Sequence, residues 1–183
     1  MRKNLGKKTY LFPMPVLIIG TYDEDGTPNA MNVAWGTISD YYQIEINLGS
    51  HQTTKNLEKT KAFTVTFADV EHMAEADYVG IVSGEKIKDK VNRAHLNYEK
   101  SKFVNAPVFT DFPLSLECEV ALNDNGRVLG NIVNVLADEK VLDDKGTIDI
   151  EKLHLIVYDA AGNTYVELGK KVGLAFSIGK TIK

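Results

Sequence analysis

The sequence predicts a mainly β protein, a closed or partly closed antiparallel barrel carrying a few helices. Three observations predict it. Short stretches rich in Val, Ile and Phe recur along the chain, several with strict alternation of apolar and polar residues. Turn signatures bound them, beginning with Asp25-Gly26. The regular strand–helix alternation that builds a doubly wound sheet is absent. Closure is expected because it removes unpaired strand edges, which otherwise invite aggregation.

The first element is Pro15 to Tyr22, PVLIIGTY, a continuous apolar run too short for most helices and read as a central strand. It stops at Asp23-Glu24-Asp25-Gly26, where glycine supplies a backbone conformation that other residues resist. Asn29 to Thr37 then returns as the second arm of a hairpin. Ile44, Ile46 and Leu48 alternate with Gln43, Glu45 and Asn47, the period of a half-buried strand. Thr53–Lys61 reads as a short helix with Thr53 as its N-cap. Phe63, Val65 and Phe67 alternate with Thr64 and Thr66. Glu71–Val82 is expected as a second helix, and Lys88–Tyr98 is charged and weakly patterned. In the next strand Leu114, Leu116, Cys118, Val120 and Leu122 share one face, with Ser115, Glu117 and Glu119 on the other. Val128–Leu142, Leu153–Tyr158, Thr164–Leu168 and Val172–Ile178 complete the expected strands.

The whole chain, residues 1–183, fits one domain. Lys and Arg total 21 against 25 Asp and Glu, a net charge of −4, which argues against a nucleic-acid-binding face. No apolar run approaches the ~20 residues that span a bilayer. The basic start, MRKNLGKKTY, lacks the apolar region and small-residue cleavage site of a signal peptide. A single cysteine, Cys118, excludes an internal disulfide and suits a reducing compartment, so a cytoplasmic location is expected. Its place on an apolar strand face marks it as a buried, inert thiol.

Several chemistries have no motif here. No G-x-G-x-x-G follows a strand, no G-x-x-x-x-G-K-[ST] appears, and no G-x-S-x-G elbow exists. His51, His72, His95 and His154 have no paired ligand spacing, so no metal site is expected. The informative stretches are Asn29–Thr37 (NAMNVAWGT) and Gly49–Leu57 (GSHQTTKNL). In the second, a strand runs into a helix start, where free N–H groups and the positive dipole end form an anion site. Ser50, Gln52, Thr53 and Thr54 would add donors, although the same residues also suit an ordinary cap. In the first, Trp35 lies among Ala30, Ala34 and Gly36. This suits a flat group approaching the backbone, or simply a core tryptophan with small neighbours.

These segments resemble the flavin reductase-like family, especially its flavoredoxin branch. Pro15-Val16, Asp25-Gly26, Asn29-x-Met31-x-x-x-Trp35, Thr53-x-x-Asn56-Leu57, Phe63-x-Val65, Leu116-Glu117-Cys118 and Tyr165-x-x-Leu168-Gly169 follow the family's order. The resemblance implies an antiparallel Greek-key split β-barrel that binds FMN, assembled as a homodimer with the flavin near the interface. By position, Asn29, Ala30, Met31, Asn32, Val33, Ala34, Trp35, Gly36 and Thr37 would face the isoalloxazine, largely through backbone groups. Ser50, His51, Gln52, Thr53 and Thr54, with Asn56, would hold the ribityl phosphate, and Lys90 would approach it from the Ser83-Gly84 loop.

Two departures stand out. Asn32 and Ala34 replace common hydroxyl residues. A family histidine on the nicotinamide side corresponds to Asn125, within Asn123-Asp124-Asn125-Gly126-Arg127. The expected function is therefore a flavoprotein oxidoreductase moving electrons from a reduced donor, with direct use of NAD(P)H in doubt. Arg127 could compensate by pairing with a pyrophosphate. The rivals are an electron carrier serving a redox partner protein and a flavin-binding module without turnover.

Overall fold

The computed structural model describes residues 1–182. The first apolar run forms β1 (Met14–Pro15) and β2 (Leu17–Tyr22); a turn with Gly26 at φ 84° returns the chain as β3 (Pro28–Val33). β4 (Gly36–Asp40) and β5 (Gln43–Asn47) form a second hairpin that leads into helix α1 (Gln52–Thr60). β6 (Ala62–Phe67), α2 (Met73–Ile81) and the single turn α3 (Lys90–Arg93) follow. After the small pair β7 (Tyr98–Lys100) and β8 (Pro107–Phe109) comes the long hairpin of β9 (Leu114–Asp124) and β10 (Arg127–Ala137). β11 (Ile156–Asp159) and β12 (Thr164–Glu167) pair with each other and with β1.

The main sheet is seven-stranded and antiparallel, in the order β3-β2-β6-β9-β10-β5-β4. Its edge strands, β3 and β4, are separated along the chain only by Ala34 and Trp35. So short a link reaches roughly 10 Å, and the sheet must curl until its two edges meet at that corner. β3 and β4 do not pair, so the barrel is split along this seam. Gly36 stands at the corner, where a Cβ would lie 2.7 Å from Leu17 Cδ1 and 3.3 Å from Ile46 Cγ2.

β2 explains why its sequence is apolar without interruption. Leu17 and Ile19 face the barrel interior with Ile46, Phe63, Val65, Cys118 and Val128. Ile18, with Val16 just before the strand, faces a second core under α2 and α3, with Val79, Val91, Phe109 and Ile156. Among the described residues, no helix is long and apolar enough to cross a membrane.

Four expectations change. Helix α1 begins a residue earlier than expected, with His51 rather than Thr53 at the N-cap. Thr54 does the capping: its Oγ1 accepts from the His51 N–H at 3.0 Å and donates to the His51 carbonyl at 2.7 Å. The polar face of β9 is not a wet face. Ser115 and Glu117 are buried; Ser115 shares a hydrogen bond with Thr66, while Glu117 accepts from Ser101 and Asn134, so only Glu119 of the three is exposed. β10 ends at Ala137, and a 3₁₀ turn over Glu139–Val141 replaces the rest of the expected strand. Val172–Ile178 forms no strand: it is exposed, turns over residues 175–177 with the Ile178 N–H donating to the Leu174 carbonyl at 3.1 Å, and runs into a 3₁₀ helix over Ile178–Thr181.

Candidate functional site

A cleft of about 450 Å³ opens where the β2–β3 hairpin, α1 and the Ser83–Gly84 loop converge, with Asn29, Gln52, Asn56 and Gly84 in its wall. Behind it lies a buried polar cluster. Asn29 Nδ2 donates to Thr53 Oγ1 at 2.9 Å, and Asn56 Nδ2 donates to Thr21 Oγ1 at 3.0 Å. Gln52 Nε2 donates to Asn56 Oδ1 at 2.8 Å. The four inner residues are at most 5 % exposed, so water cannot satisfy them and the bonds fix α1 against the hairpin. Gly84 packs so tightly that a Cβ there would run into Asn29 Oδ1.

The structure brings Asn29, Gln52, Thr53, Thr54 and Asn56 to this one corner, with Ser50 and His51 exposed at the mouth of the helix start. Thr53 and Thr54 spend their oxygens on this framework. The free donors are therefore the first-turn backbone N–H groups and the more exposed side chains around them. The helix carries no acidic residue in its first turn; Glu85, across the loop, is paired with Lys55 at 2.6 Å, and the cleft wall further out mixes Asp23, Glu24, Asp25 and Glu58 with Lys55, Lys59 and Lys88.

Alternation divides the Asn29–Thr37 stretch. Met31 and Val33 turn into the barrel core, whereas Ala30 joins the core under α2 and Asn32 Nδ2 donates to the Ala76 carbonyl at 3.0 Å. Ala34, Trp35, Gly36 and Thr37 line a separate groove of about 510 Å³, roofed by the N-terminal arm Lys8–Pro15. Trp35 is 53 % exposed, so it is no core tryptophan.

Lys90 is almost fully buried and donates to the carbonyls of Val79 and Val82, at 3.2 and 3.0 Å. It thus caps the C-terminal end of α2, immediately before the Ser83–Gly84 loop. Burial pulls its amino group down to about 8. Cys118 is pushed up to about 12, chiefly by burial and further by the neighbouring Glu117, as suits an inert thiol.

The Asn125–Gly126 turn, with both residues at positive φ, docks in front of α1: the Leu48 N–H donates to the Gly126 carbonyl at 2.6 Å. Arg127 does not point into a free space for a pyrophosphate. It forms a bidentate pair with Glu45, both bonds 2.9 Å, and its hydrogen bonds hold that carboxyl below its usual range.

Two participants escaped the sequence reading. Thr21 is the hub of the polar cluster, and its signal was a small hydroxyl closing an apolar run. Asp77 accepts from the Tyr165 hydroxyl at 2.7 Å, beside Asn32, and burial followed by this bond pushes that phenol up to about 12. That pairing joins residues far apart in the chain and left no local signal.

Residues 9–159 match the flavin reductase-like domain. The chain belongs to that family. Flavoredoxin of Desulfovibrio vulgaris (Miyazaki F) superposes with a TM-score of 0.94 at 32% identity, covering 98% of this chain and 100% of that one. Flavoredoxin from Methanosarcina acetivorans gives a TM-score of 0.89 at 24% identity, with both chains covered completely. Nitrilotriacetate monooxygenase component B from Bacillus cereus shares the fold, with a TM-score of 0.79 at 17% identity over 95% of this chain and 99% of that one. As in any member of the flavin reductase-like family, the chemistry has to be argued from the site and not from the barrel.

Proposed function

We propose that the chain binds FMN and works as a flavoprotein oxidoreductase of the flavin reductase or flavoredoxin type. One observation carries this reading: the N-terminus of α1, free of carboxylates in its first turn, opens beside the cleft, with hydroxyl, imidazole and amide groups around it. That donor set fits a phosphate, because it offers hydrogen-bond donors and a positive dipole end, with no carboxylate in the helix's first turn. The first-turn N–H groups, Ser50, His51 and Gln52 would hold the phosphate. The buried Thr21–Asn29–Thr53–Asn56 cluster keeps that anchor at a fixed distance from β3 and the Trp35 corner, where the ring would lie. Bound there, FMN supplies transfer of a hydride or of single electrons between donor and acceptor. Lys90 positions the Ser83–Gly84 loop through the α2 carbonyls.

The test is the visible spectrum and affinity of the protein titrated with FMN and with riboflavin. FMN should bind at least ~10-fold more tightly, since charge-assisted bonds to a phosphate contribute roughly 1.5–3 kcal/mol. Equal affinities would defeat the helix-start site, and a protein that takes up neither would defeat the function.

Two features of the β9–β10 turn favour an electron carrier over an NAD(P)H oxidase. Asn125 stands in a tight turn with its amide donating to Asp124 at 2.8 Å, and Arg127 is held by Glu45. Neither offers a free cation to a dinucleotide. Anaerobic mixing with NADH and then NADPH should bleach the flavin slowly, and rapid bleaching at low nicotinamide concentration would restore a conventional reductase. We further propose a homodimer in the cytoplasm. Trp35, Ile38, Tyr41 and Tyr42 on and beside the β4–β5 hairpin are 53, 60, 91 and 76 % exposed, more apolar surface in one place than a lone chain leaves uncovered without a use.

A further inference from the structure

We propose that the charged rim of the cleft makes this chain select FMN over the dinucleotide FAD, by charge rather than by size. This selection rests on the FMN reading above and locates the residues that set it.

β3 gives the direction in which a flavin would lie. Asn29, near its start, donates to Thr53 in the first turn of α1, and its far end leads through Ala34 to Trp35. A ligand with its phosphate at the helix start and its ring at the Trp35 corner lies along this strand, with the phosphate end turned to the cleft. Anything attached beyond that phosphate enters the cleft, between the Asp23–Thr27 turn, the flank of α1 and the loop after Gly84. Size does not bar it, because about 450 Å³ falls within the ~300–1,000 Å³ of ordinary small-molecule pockets.

The charges do. Three ion pairs join the three walls two by two. Lys55 of α1 meets Glu85 of the loop at 2.6 Å, Lys59 of α1 meets Glu24 of the turn, and Lys88 of the loop lies 3.9 Å from Asp25 of the turn. Every lysine that lines the cleft is thus engaged by a carboxylate. Asp23 and Glu58 line it too, and among the described residues neither forms an ion pair.

That rim treats the two flavins differently. The phosphate of FMN is a monoester, which carries ~1.5–2 negative charges at pH 7 and places them all at the carboxylate-free helix start. In FAD each phosphate is a diester with a single charge. The helix start then holds less negative charge, and the second phosphate arrives among carboxylates whose lysines are already taken. All three pairs are solvent-exposed, so each contributes little alone and salt screens their joint effect.

The test titrates the wild type, Glu24→Gln/Glu58→Gln and Lys59→Gln with FMN and with FAD, read by quenching of flavin fluorescence. The three positions are exposed, and thermal melting checks that each variant is folded. Titrations at about 0.01 M and about 1 M salt shorten the Debye length from ~30 to ~3 Å. At low salt the wild type should bind FMN at least ~10-fold more tightly than FAD, and the ratio should shrink at high salt. An exposed charge contact shifts an equilibrium by up to about fivefold, so the ratio should fall at least ~3-fold in Glu24→Gln/Glu58→Gln. It should rise in Lys59→Gln, which removes a cation and releases Glu24. A wild type that binds both flavins equally overturns the selection and leaves the FMN reading standing. One that takes up neither flavin overturns the FMN reading and the selection with it. A preference for FMN that neither salt nor the substitutions move is steric, and that outcome also overturns the proposal.

Discussion

Lys90 and Cys118 show how one side chain's surroundings set its chemistry. Lys90 sits among apolar neighbours with the Val79 and Val82 carbonyls as its partners, and its folded value of about 8 lies below the ordinary 10.5. The unfolded chain therefore holds this proton more tightly. Stability attributable to Lys90 rises as pH climbs from about 8 to 10.5 and is constant below that window. Urea unfolding of Lys90→Met should show a weaker rise over the same range than the wild type. At neutral pH the variant should be less stable by about 1–3 kcal/mol, because it leaves buried carbonyls unpaired. For Cys118, a thiol raised to about 12 is scarcely ionised at neutral pH, and its residue is buried besides. Alkylation by iodoacetamide should follow global unfolding in rate, and labelling of the native protein within minutes would contradict that.

At the scale of single elements, α1 is the piece on which the site depends, and its neighbour loop gives a sharp test. Gly84→Ala pushes a Cβ into Asn29 Oδ1, the residue whose amide holds Thr53. Overpacking of this kind typically costs ~1–3 kcal/mol. FMN affinity should fall along with thermal stability, and a variant with normal affinity would show that the loop does not shape the cleft. The same elements show what could be read from residues alone. β2 and β3 were legible because an apolar run, a D-G turn and a return strand are all local signals, and α1 was legible because threonines at a strand end announce a helix start. The exact cap was not, since it depends on which hydroxyl reaches His51 in three dimensions. The burial of Ser115 and Glu117 was not, since the segment carrying Ser101 covers them from a distance in sequence. The place of Lys90 near the phosphate came from the family resemblance, and its burial against the Val79 and Val82 carbonyls was not legible, because a charged stretch is silent about which carbonyls lie next to it. Val172–Ile178 has a strand pattern, yet its Leu174–Ile178 turn closes locally and leads into a 3₁₀ helix, a choice that alternation alone does not reveal.

The whole molecule hangs on how its longest hairpin meets the helix start. β9 and β10 supply the middle of the curled sheet, pairing with β6 on one side and β5 on the other. Their turn reaches across to the chain just ahead of α1, where the Leu48 N–H bonds to the Gly126 carbonyl at 2.6 Å. Gly126 has φ 85°, a conformation that any L side chain resists, and a Cβ at this position would fall on the Leu48 carbonyl oxygen. The carbonyl oxygen in that collision is backbone, one residue after β5, so it cannot swing aside as a side-chain tip could. Strain at such a site costs about 1–3 kcal/mol before the clash is counted. Gly126→Ala should therefore destabilise the fold by at least ~2 kcal/mol in urea unfolding. Because the displaced turn also moves Leu48 and the residues leading to Ser50, flavin affinity should drop more for FMN than for riboflavin, the phosphate being the part held at α1. A variant that loses stability but binds both flavins as the wild type does would separate the hairpin from the helix start, and would place the phosphate elsewhere on the barrel.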